Sequence, residues 1–174
     1  MKRLEGKIAA VTGGSQGIGL AVAREFAAQG ANLALCSVDD LAPKAAQDLA
    51  AEFGVKAFGV KTNVSVPADC DAFAERALSE LGGLDILVNN AGVARDNLAV
   101  RLSEEQWDLV LDVNLKGAFF MSKAALKHMM RNRSGRIINL SSVVGQMANG
   151  GQANYSASKS GLLGLTKSLA REFA

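Results

Sequence analysis

Metal and disulfide chemistry have little to work with in this sequence. Its 174 residues contain two cysteines, Cys36 and Cys70, and one histidine, His128. No CxxC pair occurs, and one imidazole does not anchor a metal cluster by itself, so no metal site is expected. Cys36 falls in an apolar, strand-like run and Cys70 in a helix-like one, the pattern of buried thiols in a reducing compartment rather than of a disulfide. Long apolar runs are missing too. None approaches the roughly 20 residues of a membrane span, and "MKRLEGKIAAVTGG" has no apolar stretch long enough for a signal peptide. The expectation is therefore a cytoplasmic protein with no membrane partner. Charge of either sign is scarce in excess: a net +2 gives no reason to expect nucleic acid or an acidic membrane. There is no linker, repeat or low-complexity segment. What remains is an ordinary globular composition, 49% apolar and 21% charged, at a length that one domain accounts for.

Short apolar runs alternate with longer helix-like segments. "KIAAVT" (7–12), "NLALCS" (32–37), "AFGVKTNV" (57–64), "LDILVNN" (84–90) and "RIINLS" (136–141) read as strands. Helices are expected over "GIGLAVAREFAAQG" (17–30), closed by Gly30, from Pro43 to near Gly54, and from about Pro67 to Leu81 with Ser65 as cap. Ser103 and Gln106 form an S-x-x-Q capping box ahead of one long helix reaching Arg131, and a last helix begins near Asn154. Strands apolar on both faces, alternating with helices, predict an α/β doubly wound parallel sheet of Rossmann type. The chain stops within "KSLAREFA" with neither a turn signal nor a closing strand. The expectation is a single dinucleotide-binding and catalytic domain over 1–174 that is C-terminally truncated, its last strands missing.

"TGGSQGIG" (12–19) follows the first strand and opens the first helix. Glycines at 13, 17 and 19 permit a tight turn and close approach to a ligand, and the helix N-terminus beyond offers free N–H groups to pyrophosphate. The spacing G-x3-G-x-G differs from the standard G-x-G-x-x-G, and a purely structural turn has the same composition. The adenosine ribose is met near the end of the second strand, where an acid favours NAD and an arginine NADP. Here "CSVDD" (36–40) contains no arginine. Asp39 stands at about the right distance for the ribose and equally suits a helix cap, and Ser37 suits a hydroxyl or a phosphate.

Aromatic side chains are few, and the single tyrosine, Tyr155, stands four residues before Lys159 in "NYSASKSGL". That spacing puts the pair on one helix face. A cation close to a phenol favours phenolate and fits it to exchange a proton with a carbonyl or alcohol oxygen. Ser142, in "NLSSVVG" after the fifth strand, lies where open α/β sheets bind ligands and is placed to hold that oxygen. No side chain supplies a hydride, so the glycine turn becomes the seat of a hydride-carrying cofactor. Each of these features alone is commonly structural; their coincidence points to an oxidoreductase.

Taken together, "TGGSQGIG", "NNAG" (89–92), Asn114 in "DVNLKG", Ser142 in "LSS" and "YSASK" (155–159) resemble the short-chain dehydrogenase/reductases in order and spacing over essentially the whole chain. Within that family "LEGKIAAVTGG" and "GRIINLSSVVGQMANGGQANYSASKSGLLGLTKSLARE" are most similar to 3-oxoacyl-acyl-carrier-protein reductases of fatty-acid synthesis. The resemblance implies a catalytic set of Asn114, Ser142, Tyr155 and Lys159. Tyr155 is then the acid, Lys159 its tuning cation and a ligand of the nicotinamide ribose, Ser142 the holder of the substrate carbonyl, and Asn114 the holder of a water in a proton relay. It implies a cofactor cleft of Thr12, Gly13, Ser15, Gln16, Gly17, Ile18, Gly19, Ser37, Asn63, Val64, Asn90, Ala91 and Gly92, shared with Tyr155 and Lys159. It implies an acyl-thioester substrate, NADP(H) as cofactor and a homotetramer built on the helix around Asn114 and the last helix. Gln16 and Val38 stand where NADPH-dependent relatives often carry basic or polar residues, so NAD(H) stays open. Arg131 and Arg133 are candidates to meet an acidic carrier protein, or simply suit a helix C-terminus. A reductase of another small alcohol or ketone, and a non-catalytic nucleotide-binding subunit, are the competing expectations.

Overall fold

The computed structural model describes residues 2–174. Five strands, β1 (Ile8–Thr12), β2 (Asn32–Ser37), β3 (Ala57–Lys61), β4 (Ile86–Asn89) and β5 (Arg136–Asn139), form one parallel sheet in the order β3-β2-β1-β4-β5. The helices are α1 (Gly17–Ala28), α2 (Ala42–Phe53), α3 (Pro67–Leu81), α4 (Glu104–Leu111), α5 (Gly117–Asn132), α6 (Val144–Met147) and α7 (Ala153–Phe173). The predicted doubly wound α/β sheet is what forms. Strand order reverses between β1 and β4, and in open α/β sheets such a reversal opens a crevice at the carboxyl ends of the strands.

Two apolar layers bury the sheet. Ala9, Val11, Leu33 and Leu35 face α1 and α2, whereas Ala10, Ala34, Cys36 and Leu87 face α3 and α5. Alternate residues of β1 and β2 thus enter opposite cores, which is why these strands read as unbroken apolar runs. Small residues bring helices close to the sheet. A Cβ added at Gly59 would lie on the Ala42 carbonyl at the start of α2. Both cysteines are free and buried, Cys36 in β2 and Cys70 in α3. Burial pushes the Cys36 thiol up to about 12, and burial aided by Asp69 and Asp71 pushes Cys70 up to about 11. Both therefore stay protonated and unreactive at neutral pH.

Two local expectations are corrected. Ser65 does not cap α3: Val66 occupies that position without a side-chain hydrogen bond, and the Ser65 hydroxyl donates to Asn63 Oδ1 at 2.8 Å. Pro67 restricts the residue before it to extended backbone, and Val66 complies at φ −104°, ψ 113°. The capping box does start α4, with Ser103 and Gln106 bonding reciprocally. The helical stretch expected to reach Arg131 also forms, running unbroken from Glu104 to Asn132, and its middle, Asp112–Lys116, is a π-helical turn that joins α4 to α5 and contains the buried Asn114. The strands also end earlier than their apolar runs, β3 at Lys61 rather than Val64 and β5 at Asn139 rather than Ser141.

Beyond β5 the sheet edge is open, beside a groove of about 700 Å³ lined in part by Met129, Arg133, Ile137, Leu169 and Phe173. Among the described residues no helix is long and apolar enough to cross a membrane.

Since backbone rather than a flexible side chain meets Gly59, Gly59→Ala should lower stability by about 1–3 kcal/mol. A lower urea midpoint at unchanged slope is the expected readout; an unchanged midpoint would show that α2 sits further from β3 than described.

Candidate functional site

The site begins where β1 and β4 diverge. Thr12 Oγ1 accepts the backbone N–H groups of Asn90 and Ala91, each at 3.0 Å. The Asn90 amide donates back to the carbonyls of Thr12 at 2.9 Å and Gly13 at 3.0 Å. These four bonds clamp the glycine turn to the end of β4. Gly13 and Gly17 have left-handed φ of 61° and 54°, a conformation that disfavours other residues. A Cβ at Gly13 would lie 2.9 Å from Asn90 Nδ2, while Gly17 faces open space. Gln16 caps α1 without a side-chain bond, leaving the first N–H groups of that helix for a ligand. Ser15 and the exposed Gln16 and Ile18 line the same turn, and Gly19 is buried against Gly13. This bare turn at a helix N-terminus fits the pyrophosphate of a dinucleotide.

The flanks are less uniform. Ser37 is buried, and its hydroxyl donates to Asp39 Oδ1 at 2.6 Å. Asn63 is exposed, but Val64 packs its side chain into the core against Gly117, so only its backbone can border an adenine.

The second half of the site is carried by α7. Asn154, fully buried at its start, donates to the carbonyls of Arg95 at 3.1 Å and Gln106 at 3.2 Å and accepts the Tyr155 N–H at 2.7 Å. One turn on, Lys159 is 5% exposed, and burial lowers its pKa from the usual lysine range. Its Nζ donates to the Leu140 carbonyl at 2.7 Å and lies 5.7 Å from the Tyr155 ring centre. Ser142 lies in the segment between β5 and α6, and its Oγ accepts the Val144 N–H at 3.2 Å. That segment is fastened to α7 on both sides. Ser141 donates to the Lys159 carbonyl at 2.8 Å, Ser160 donates to the Gly145 carbonyl, and a Cβ at Gly145 would lie 2.8 Å from the Lys159 backbone. The small residues around Tyr155 and Lys159 thus permit this contact. The Tyr155 hydroxyl makes no hydrogen bond to protein among the described residues, so it is free for a ligand.

Asn114 joins the two halves. Its Oδ1 accepts the Val93 N–H at 2.7 Å, and its Nδ2 donates to the Val93 carbonyl at 2.9 Å and to Ser158 Oγ at 3.1 Å. Ser158 Oγ in turn donates to the Tyr155 carbonyl at 2.8 Å. A Cβ on Gly92 would lie 3.3 Å from Asn114 Oδ1 and 3.7 Å from Lys159 Nζ, so both side chains converge on the space that this glycine leaves open. Ser158 and Asn154 had been legible only as small or polar helix residues; their burial is what marks them as positioning groups. Arg131 lies in the last turn of α5, and Arg133 ends it in a left-handed conformation at φ 48°. Both are exposed, and Arg133 borders the groove beside β5 rather than the cleft between β1 and β4.

The sequence profile of the short chain dehydrogenases matches residues 7–174. The 3-oxoacyl-[acyl-carrier-protein] reductase FabG of Escherichia coli is 48% identical over 170 residues, covering 98% of this chain and 68% of that protein. The enzymes of that name from Vibrio cholerae and Staphylococcus aureus are each 47% identical, covering 98% and 97% of this chain and 69% of each relative.

Breaking the two tethers should have graded effects. Ser158→Ala removes one strut of Asn114 and should cost about 1 kcal/mol in urea unfolding, whereas Asn154→Ala removes the three hydrogen bonds of a fully buried amide and should cost about 2 kcal/mol or more. Equal midpoints for the two variants would contradict the network.

Proposed function

This chain belongs to the short-chain dehydrogenase family and is a nicotinamide-dependent oxidoreductase acting on a hydroxyl–ketone pair; from that premise we propose that it reduces a 3-oxoacyl thioester, borne on acyl carrier protein, to the 3-hydroxyacyl form in fatty-acid synthesis. The observation that carries the substrate class is the 47–48% identity, along nearly all of this chain, to proteins named for that reaction.

A nicotinamide dinucleotide, when bound, supplies the hydride that no side chain can. The glycine turn, the N-terminus of α1 and Asn90, Ala91 and Gly92 form its cradle. Tyr155 delivers the proton to the substrate oxygen as the carbonyl carbon is reduced, and Ser142 holds that oxygen in line. Lys159 offers two ammonium protons beyond the one given to Leu140. These suit ribose hydroxyls, and the positive charge steadies the phenol oxygen as it loses its proton. Asn114, fixed by Val93 and Ser158, anchors the path by which that proton is replaced. Resemblance to NADPH-using reductases supports NADP(H) as the default carrier. The exposed Trp107, Leu109 and Phe119 along α4 and α5 support a homotetramer built on that helix pair and α7.

Two measurements test this reading. Acetoacetyl thioester of acyl carrier protein should drive nicotinamide oxidation, and Tyr155→Phe should slow turnover by about 10²–10⁴-fold with little change in KM. Wild-type turnover in that variant excludes Tyr155 as the acid, and reduction of simple ketones without thioesters removes the substrate assignment. Light scattering of the purified enzyme should give four times the protomer mass; a monomer overturns the proposed assembly.

A further inference from the structure

Helix α7 carries Tyr155 and Lys159, and the bonds that hold it to other elements crowd into its first half, at Asn154, Ser158, Lys159 and Ser160. Beyond Ser160, among the described residues, a single hydrogen bond joins the helix to another element: Asn139 Nδ2 donates to Thr166 Oγ1 at 2.9 Å. Thr166 gives its own proton to the Leu162 carbonyl at 2.7 Å, one turn back within α7. Leu162 is buried, and the spacing of Lys159, Leu162 and Thr166 puts all three on one helix face.

Asn139 is the last residue of β5, a strand whose one neighbour in the sheet is β4. Its Oδ1 accepts from Asn89 Nδ2 at 2.8 Å, and Asn89 Nδ2 also donates to the buried Ser122 of α5 at 3.0 Å. One amide therefore ties the end of the edge strand to β4 on one side and to α7 on the other. The backbone of the next residue, Leu140, is held the same two ways. Its N–H donates to the Asn89 carbonyl at 3.0 Å, and its carbonyl takes the Lys159 ammonium at 2.7 Å. Adjacent residues of one strand end thus meet α7 at Lys159 and at Thr166, about 10 Å apart along the helix axis. A helix fastened at one turn can swing about it; a second point at that distance fixes its angle to the strand. Asn139 and Thr166 border the groove beside β5, outside the cleft, so neither is placed to touch substrate or dinucleotide. The geometry points to Asn139 as a positioning residue: through Thr166 it sets the angle of α7 over β5, and with it the seat of Lys159 against Leu140 and beside Tyr155. Its consequence for turnover rests on the roles proposed above for Lys159 and Tyr155.

Lys159 is the one buried lysine among the described residues, which gives a readout that needs no turnover. Acetylation of the full chain by acetic anhydride, followed lysine by lysine by mass spectrometry, should be slow at Lys159. Its rate relative to the exposed Lys56 should rise about two- to tenfold in Thr166→Val and in Asn139→Ala, the range that one hydrogen bond accounts for. Thr166→Ser, which keeps the hydroxyl, should match the wild type. Adding Thr166→Val to Asn139→Ala should change little further, because both break the same bond. Gly59→Ala, on the opposite edge strand, should leave the ratio alone although it lowers stability. In Thr166→Val and Asn139→Ala, kcat for acetoacetyl thioester should fall by a similar factor at unchanged KM. An unaltered ratio in the folded variants, a Thr166→Ser protein that behaves like Thr166→Val, or an equal rise in Gly59→Ala overturns the assignment alone. A rise at Lys159 with unchanged kcat upholds the tie and overturns instead the part given to Lys159 in proton transfer.

Discussion

The burial of the Lys159 ammonium is the constraint around which the far end of this molecule is arranged. Taking a cation out of water is costly unless its protons find acceptors, and here one acceptor, the Leu140 carbonyl, comes from the chain just past β5. That contact requires the β5–α6 segment to lie directly on α7. Ser141, Gly145 and Ser160 provide the fit, two by bonding across the contact and one by having no side chain to obstruct it. Ser142 is carried on that same segment, so its place follows from how the lysine is housed. The remaining ammonium protons are directed at the space beside Gly92, and a buried donor without acceptors is a standing preference for a polar ligand.

The opposite wall depends on amide side chains rather than on charge. Asn90 and Thr12 cross the gap where strand order reverses, Asn114 grips the loop at Val93, and Asn154 ties α7 to α4 and to Arg95. Amides suit this duty because one group donates and accepts without a charge to desolvate. The π-helical turn follows the same logic. It replaces regular helical bonding over Asp112–Lys116, and the three hydrogen bonds of Asn114 to Val93 and Ser158 offset that irregularity.

Sequence alone made the fold class and the order of elements legible, because those depend on period and on the few residue types able to do a task. The glycine turn could be read since Gly13 and Gly17 need left-handed backbone, and the α4 cap since Ser103 and Gln106 bond within one turn. What stayed hidden is set by contacts distant in the chain. The π turn leaves no mark on local periodicity, and the groups that Asn114 meets there, Val93 and Ser158, lie 21 and 44 residues away. Ser65 had cap chemistry, but Pro67 fixed the boundary one residue later. Ser158 looked like filler in "YSASK" until its hydroxyl was found between Asn114 and the Tyr155 carbonyl.

The two ends of the cleft are built by different parts of the chain, and this separates what chemistry is done from which carrier is used. Proton transfer is assigned to residues on α7, the β5–α6 segment and the π turn. Reading of the adenosine ribose is assigned to the residues after β2 and to the glycine turn. No side chain serves both, and the rigid sheet between them carries β1 and β4 with no need for their ends to covary. Family membership fixes the reaction class through the packed end of the fold.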